Sequence, residues 1–172
     1  MWTAQYFNFK TPRTLISSGG LGTMGFGLGA AIGAKVANPE KTVFNIAGDG
    51  SFGMNCNEFA TAVKYNIPIK VIVMNNNALG MVRQWQSLFY EARYSQTTLD
   101  RATDFVKLAE AFGGVGFRVE KREELEGVLK EALAINKPVI IDYRIDSDKK
   151  VFPMVAPGAP IHQIINEEDL EC

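Results

Sequence analysis

At 172 residues, 47% of them apolar and 22% charged, the chain has the length of one ordinary domain and the composition of a soluble globular protein with a real core. Its net charge of −1 and its scattered basic residues, paired only in places such as Lys121-Arg122 and Lys149-Lys150, offer no field to recruit nucleic acid or an acidic membrane. The lone histidine, His162, leaves no His-rich zinc site and one base for any Ser-His-Asp arrangement, and Cys56 and Cys172 have no metal-type spacing, so a reducing, cytoplasmic setting is expected.

Met1 is followed by Trp2 and polar residues rather than a basic-then-apolar run, which predicts no signal peptide. Residues 14–17 read as a short buried strand ending in the cluster Gly19, Gly20 and Gly22. A small-residue helix follows over residues 24–37, closed by Asn38-Pro39. The uncharged stretch 14–34 has about the length of a membrane span. Its seven glycines, with Thr14, Ser17, Ser18 and Thr23, make it too polar for one.

Residues 42–47 (TVFNIA) form the next predicted strand and run into Gly48-Asp49-Gly50. Phe59, Ala62 and Val63 share one face of a helix that stops at Asn66, before Pro68. Residues 69–74 (IKVIVM) are a near-continuous apolar strand, ended by Asn75-Asn76-Asn77. Phe105, Leu108, Ala109 and Phe112, with Gly113 as the stop, predict one helix, and Leu125, Val128, Leu129, Ala132 and Leu133 another. Residues 139–143 (VIIDY) are the last buried strand. The alternation implies an α/β fold: an open, mostly parallel sheet with helices on both faces. The domain spans residues 1–165, and 166–172 form an acidic C-terminal tail.

Ligands of such sheets bind at the carboxyl ends of strands, where Gly48-Asp49-Gly50 and Asn75-Asn76-Asn77 both fall. Glycines let a backbone approach a ligand, and free N–H groups at a helix start attract phosphate. Asp49 there would repel phosphate unless a cation stood between them. Mg²⁺ fits, since it takes one or two carboxylates together with phosphate oxygens. Asn76, on the next strand roughly 5 Å away, offers an amide oxygen to the same ion. Alone, Gly-Asp-Gly is a common turn and an Asn run a loop tolerant of left-handed geometry. Their placement on consecutive strand ends is what points to a cation.

The segment from Gly48-Asp49-Gly50 to Asn75-Asn76 resembles the thiamine-diphosphate motif. The runs Gly20-Leu21-Gly22-Thr23-Met24-Gly25 and Leu79-Gly80-Met81-Val82-Arg83-Gln84-Trp85-Gln86, with Pro153-Met154-Val155 and Pro157-Gly158-Ala159, are similar to acetolactate synthase catalytic subunits. The resemblance covers nearly the whole chain and implies a thiamine-diphosphate-binding domain. Asp49, Asn76 and the Ala78 carbonyl would hold Mg²⁺, and the backbone around Gly48, Gly50, Ser51, Leu79 and Gly80 would cradle the diphosphate. Gly22 and Met24 would contact the aminopyrimidine, Met24 helping to bend the cofactor. Met81, Val82 and Trp85 would line the substrate pocket near the reacting carbon. Their other reading is core packing, against which stand the polar neighbours Arg83, Gln84 and Gln86. Gly29 departs from the family, where many relatives carry proline.

The reaction implied is decarboxylation of a 2-oxo acid such as pyruvate and transfer of the remaining fragment to a second 2-oxo acid, in branched-chain amino-acid biosynthesis. The resemblance also implies a homo-oligomer, a regulatory small subunit, an activating glutamate and an FAD on other domains, and no catalytic acid or base in this chain. Sibling decarboxylases, oxidases and carboligases share the motif. A different class also meets the pattern: Gly20-x-Gly22-x-x-Gly25 is a G-x-G-x-x-G fingerprint with Asp49 at the next strand end, as in a dinucleotide-binding dehydrogenase module. That reading gives Asn75-Asn76 no task. A regulatory or structural domain without catalysis is the third alternative, and the intact Asp49 and Asn76 speak against it.

Overall fold

The computed structural model describes residues 1–99 and 103–170. In chain order it contains the helices α1 (Trp2–Tyr6) and α2 (Phe26–Ala37), the strand β1 (Phe44–Gly48), and the helices α3 (Asp49–Phe52) and α4 (Phe59–Lys64). There follow β2 (Lys70–Asn75), α5 (Gly80–Phe89), α6 (Phe105–Ala111), β3 (Val115–Val119), α7 (Leu125–Ala134) and β4 (Val139–Arg144). The short strands β5 (Met154–Val155) and β6 (Ile164–Ile165) pair antiparallel.

The main sheet has the order β1-β2-β4-β3, and every pairing in it is parallel. Strand pleating divides its side chains between two cores. Val71, Val73 and Ile140 pack with Leu28 of α2, Phe59 and Ala62 of α4, and Phe105 and Ala109 of α6. Val139 and Ile141 turn the other way, with Val119, against Ala132, Leu125, Val128 and Leu129 of α7. Helices therefore cover both faces. The α7 side is shorter, and Phe44 and Ile46 on β1 stay exposed.

Two expectations change. Residues 14–17 are not a strand: Leu15 and Ile16 are exposed, and none of the strand pairings involves them. Apolar, β-branched residues supply a propensity, but a strand also needs a neighbour. The helix expected from residue 24 begins at Phe26, because its N-cap, Gly25, holds a left-handed φ of 83°. In the stretch assigned to an acidic tail, Glu167–Leu170 folds as one 3₁₀ turn, and residues 171–172, including Cys172, lie outside the described residues. Cys56 is a free thiol. Among the described residues no helix is long and apolar enough to cross a membrane.

Candidate functional site

The sheet register places two polar loops side by side. Gly48 ends β1 opposite Met74 on β2, so Asp49 and the pair Asn75-Asn76 leave neighbouring strand ends. Asp49, only 5% exposed, opens α3 directly from the strand. Phe52, three residues later, is buried edge-on against Phe105 of α6, with centroids 5.5 Å apart. That anchor fixes α3 over the sheet and holds the backbone of Gly50 and Ser51 at the strand end.

Gly50 is where the site closes. A Cβ on it would lie 2.8 Å from Leu79 Cδ2, 3.2 Å from Leu99 Cδ1 and 3.6 Å from Met24 Cε. Three apolar side chains from distant segments thus converge on this backbone, and a side chain at 50 would have to push the Leu79 and Leu99 methyls aside. Met24 is steered there through its neighbour. The Gly25 N–H donates to Ser51 Oγ at 3.0 Å, and Asn55 Nδ2 donates to the Gly25 carbonyl at 2.6 Å. Gly22, by contrast, sits in an exposed turn with φ 60°, its N–H donating to Ser18 O at 2.7 Å, and a Cβ there would face open space.

The second loop is a tight turn. Asn75 Oδ1 accepts from the Asn77 N–H at 3.3 Å, and Asn76 Oδ1 accepts from the Ala78 N–H at 3.1 Å. Asn77 takes a left-handed φ of 53°, as asparagine does readily. The Leu79 N–H donates to Thr97 O at 2.8 Å and the Leu99 N–H to Asn77 O at 2.7 Å. Residues 97–99 therefore run against 77–79 and deliver Leu99 to Gly50. Leu99 carries no motif, and nothing local in the sequence marks it. Among the described residues no three His, Cys, Asp or Glu side chains cluster. A cation at this place would rest on one carboxylate plus amide and backbone oxygens, a hard, oxygen-only donor set suited to Mg²⁺.

Beyond Gly80, α5 carries Met81, Val82 and Trp85 along one side of a cleft of about 610 Å³, completed by Gln86, Tyr90 and Arg93. Trp85 is 37% exposed and edge-on to Phe89, so it belongs to the cleft wall rather than the core. Gln84, one of the polar neighbours set against a core reading of Trp85, is itself buried. Its Nε2 donates to Val151 O at 2.9 Å and its Oε1 accepts from the Val151 N–H at 2.7 Å, which pairs a helix side chain with a backbone as a neighbouring strand would. Next to it Arg83 binds Asp148 at 2.8 Å and lies over the Tyr94 ring. The Arg83 hydrogen bond holds the Asp148 carboxyl below its usual range.

The dinucleotide alternative needs a strand directly before Gly20, and residues 14–17 do not form one. Comparison with known proteins agrees with the loop geometry. The family model described as "Thiamine pyrophosphate enzyme, C-terminal TPP binding domain" matches residues 1–143. The chain is 53% identical over 169 residues to a protein of Mycobacterium leprae named acetolactate synthase, covering 95% of this chain and 27% of that protein. It is 51% identical over 166 residues to the mitochondrial acetolactate synthase catalytic subunit of Saccharomyces cerevisiae, covering 96% of this chain and 24% of that one. The chain thus spans about a quarter of the length of these relatives. Among solved structures, a thiamine diphosphate-dependent 4-hydroxybenzoylformate decarboxylase of Rhodococcus jostii superposes with a TM-score of 0.67 at 33% identity, over 72% of this chain and 23% of that one.

Proposed function

Since the chain belongs to the thiamine pyrophosphate enzymes, as their C-terminal TPP-binding domain, we propose that it holds the cofactor's diphosphate through one Mg²⁺ ion and serves an acetolactate synthase. Asp49, the Asn76 amide oxygen and the Ala78 carbonyl hold the metal, and Asp49 supplies the only protein charge. The backbone of Gly48, Gly50, Ser51, Leu79 and Gly80 lies along the diphosphate, with α3 and α5 opening beside it. Met24 and Gly22 meet the aminopyrimidine. When bound, the cofactor supplies the carbanion stabilisation that lets a 2-oxo acid lose CO₂ and its remaining fragment join a second 2-oxo acid.

This chain's share of that reaction is binding and shape. Met81, Val82 and Trp85 exclude water from one side of the cleft and select the acceptor by size, with pyruvate as the first substrate. The observation that carries the reading is the register of β1 and β2, which brings Asp49 and Asn76 to adjacent strand ends over a Gly50 already packed by Met24, Leu79 and Leu99. Identities above 50% to two proteins named as acetolactate synthases, against 33% to the decarboxylase, favour the synthase over a sibling activity. A homo-oligomer, a regulatory subunit, an FAD bound elsewhere in the protein and a cytoplasmic setting belong to the same proposal. The exposed Leu21, Met24, Phe26 and Met54 around the site support burial by a second subunit.

The test is Asp49→Ala in the protein that carries this chain. Calorimetry should show loss of Mg²⁺-dependent thiamine diphosphate binding with the fold intact by circular dichroism. Unchanged affinity would sink the metal assignment.

A further inference from the structure

Beneath the Asn75-Asn77 turn lies a carboxylate that no motif includes. Asp142, in the middle of β4, is fully buried. Its Oδ1 accepts from Asn75 Nδ2 at 2.7 Å. Its Oδ2 faces Arg118 Nε at 3.3 Å and Arg144 Nη2 at 3.2 Å. Arg118 in turn donates through Nη2 to Asp104 Oδ1 at 2.7 Å, and Asp104 caps α6 through the Val106 and Lys107 N–H groups. The register lines these groups up: Arg118 on β3 is opposite Asp142, and Asn75 on β2 is opposite Arg144.

A carboxylate only accepts hydrogen bonds, whereas an amide has one face of each kind. Asp142 therefore forces the NH₂ of Asn75 toward itself, and the oxygen of Asn75 must point up at the Asn77 N–H. That bond, with the Leu99 N–H donating to Asn77 O, closes the turn in which Asn77 is left-handed, and the residues on either side of Asn77 are Asn76 and Ala78. We propose that Asp142 is a positioning residue for the cation site: by fixing the orientation of the Asn75 amide it sets the turn that presents Asn76 and Ala78 to the metal. The proposal rests on the metal assignment above, and it gives the first asparagine of the pair a task distinct from that of the second.

An asparagine at 142 would keep the volume but offer one oxygen to three donors, namely Asn75, Arg118 and Arg144. The guanidinium groups are the stronger donors, so the Asn75 amide would lose its partner and turn over, setting its NH₂ against the Asn77 N–H. Asn75→Ala cuts the same link while leaving Asp142 with both arginines.

The experiment measures the apparent Mg²⁺ affinity at fixed thiamine diphosphate, in the protein that carries this chain, for Asp142→Asn, Asn75→Ala and the double variant, together with metal-free melting curves. Each single change should weaken Mg²⁺ binding by at least about tenfold, the scale of residues that orient metal ligands, and excess Mg²⁺ should restore full cofactor binding. The double variant should be no worse than Asn75→Ala, because Asp142 acts through Asn75. Wild-type Mg²⁺ affinity in Asn75→Ala overturns the proposal even where Asp142→Asn fails to fold. Additive losses overturn it too, as does a loss that excess Mg²⁺ does not rescue. Asp49→Ala measured alongside separates the two levels. If it abolishes Mg²⁺ dependence while Asn75→Ala does not, only the positioning role falls; if neither matters, the metal assignment itself falls.

Discussion

A side chain at residue 50 would have to displace Leu79 and Leu99 together, so the cradle proposed for the diphosphate depends on what is absent there as much as on Asp49. Trp85 shows the opposite use of a single residue. It is 37% exposed and meets Phe89 edge-on across the cleft wall, so Trp85→Leu opens no sealed cavity. Its cost in stability should stay well below the roughly 3–5 kcal/mol of a buried tryptophan. The ratio of products formed from small competing 2-oxo acids should shift by the equivalent of about 1–3 kcal/mol. Melting curves and product ratios on one preparation check this; a large fall in melting temperature with an unchanged ratio would return Trp85 to the core. At this scale the placement of Asp49 and Asn76 at neighbouring strand ends and of Trp85 on the cleft was legible from sequence, because each sits inside a contiguous run of informative neighbours. Leu99, Asp142 and Gln84 were not: a polar Gln84 between Arg83 and Trp85 looks exposed until the Val151 backbone, 67 residues away, comes to meet it.

The elements were legible in proportion to how local their signals are. Residues 42–47, 69–74 and 139–143 announce strands by short, mostly apolar, β-branched runs, and the observed strands differ from them by a residue or two. β3 (VGFRV) escaped notice because Gly116 and Arg118 interrupt its pattern. Arg118 makes sense only beside Asp104 and Asp142, which no window along the chain brings together. The same ion pair ties α6 to the sheet and is sensitive to acid. The Arg118 hydrogen bond, helped by the cap contacts, holds the Asp104 carboxyl below its usual range. A carboxylate whose folded value is depressed stabilises the protein above its unfolded value of about 3.9 and loses that contribution as pH falls through the folded one. Asp104→Asn keeps a competent cap but no charge. The wild-type chain should therefore melt higher than the variant above about pH 5, by the equivalent of about 1 kcal/mol or less for a pair about one-third exposed. That advantage should vanish on acidification; a difference that persists at the acid end would locate the effect in the cap rather than the pair.

For the molecule as a whole, the site is open on the side of the glycine-rich turn, where Leu21 is 94% exposed and a side chain at Gly22 would meet only open space. The cofactor would lie on this surface with protein along one flank only. The 172-residue chain by itself should bind thiamine diphosphate and Mg²⁺ weakly and form no acetolactate from pyruvate. Calorimetry and a colorimetric product assay decide this, and turnover by the purified chain would refute the shared-site arrangement.

The pairing of Gln84 with Val151 has a further consequence. An amide N–H in a loop ordinarily trades its hydrogen with water quickly, whereas that of Val151 is buried and bonded to a side chain of the helix that bears the cleft wall. Its exchange therefore requires α5 to lift or Gln84 to rotate away. One resonance outside the cleft thus serves as a clock for how often the wall opens, readable without any ligand bound.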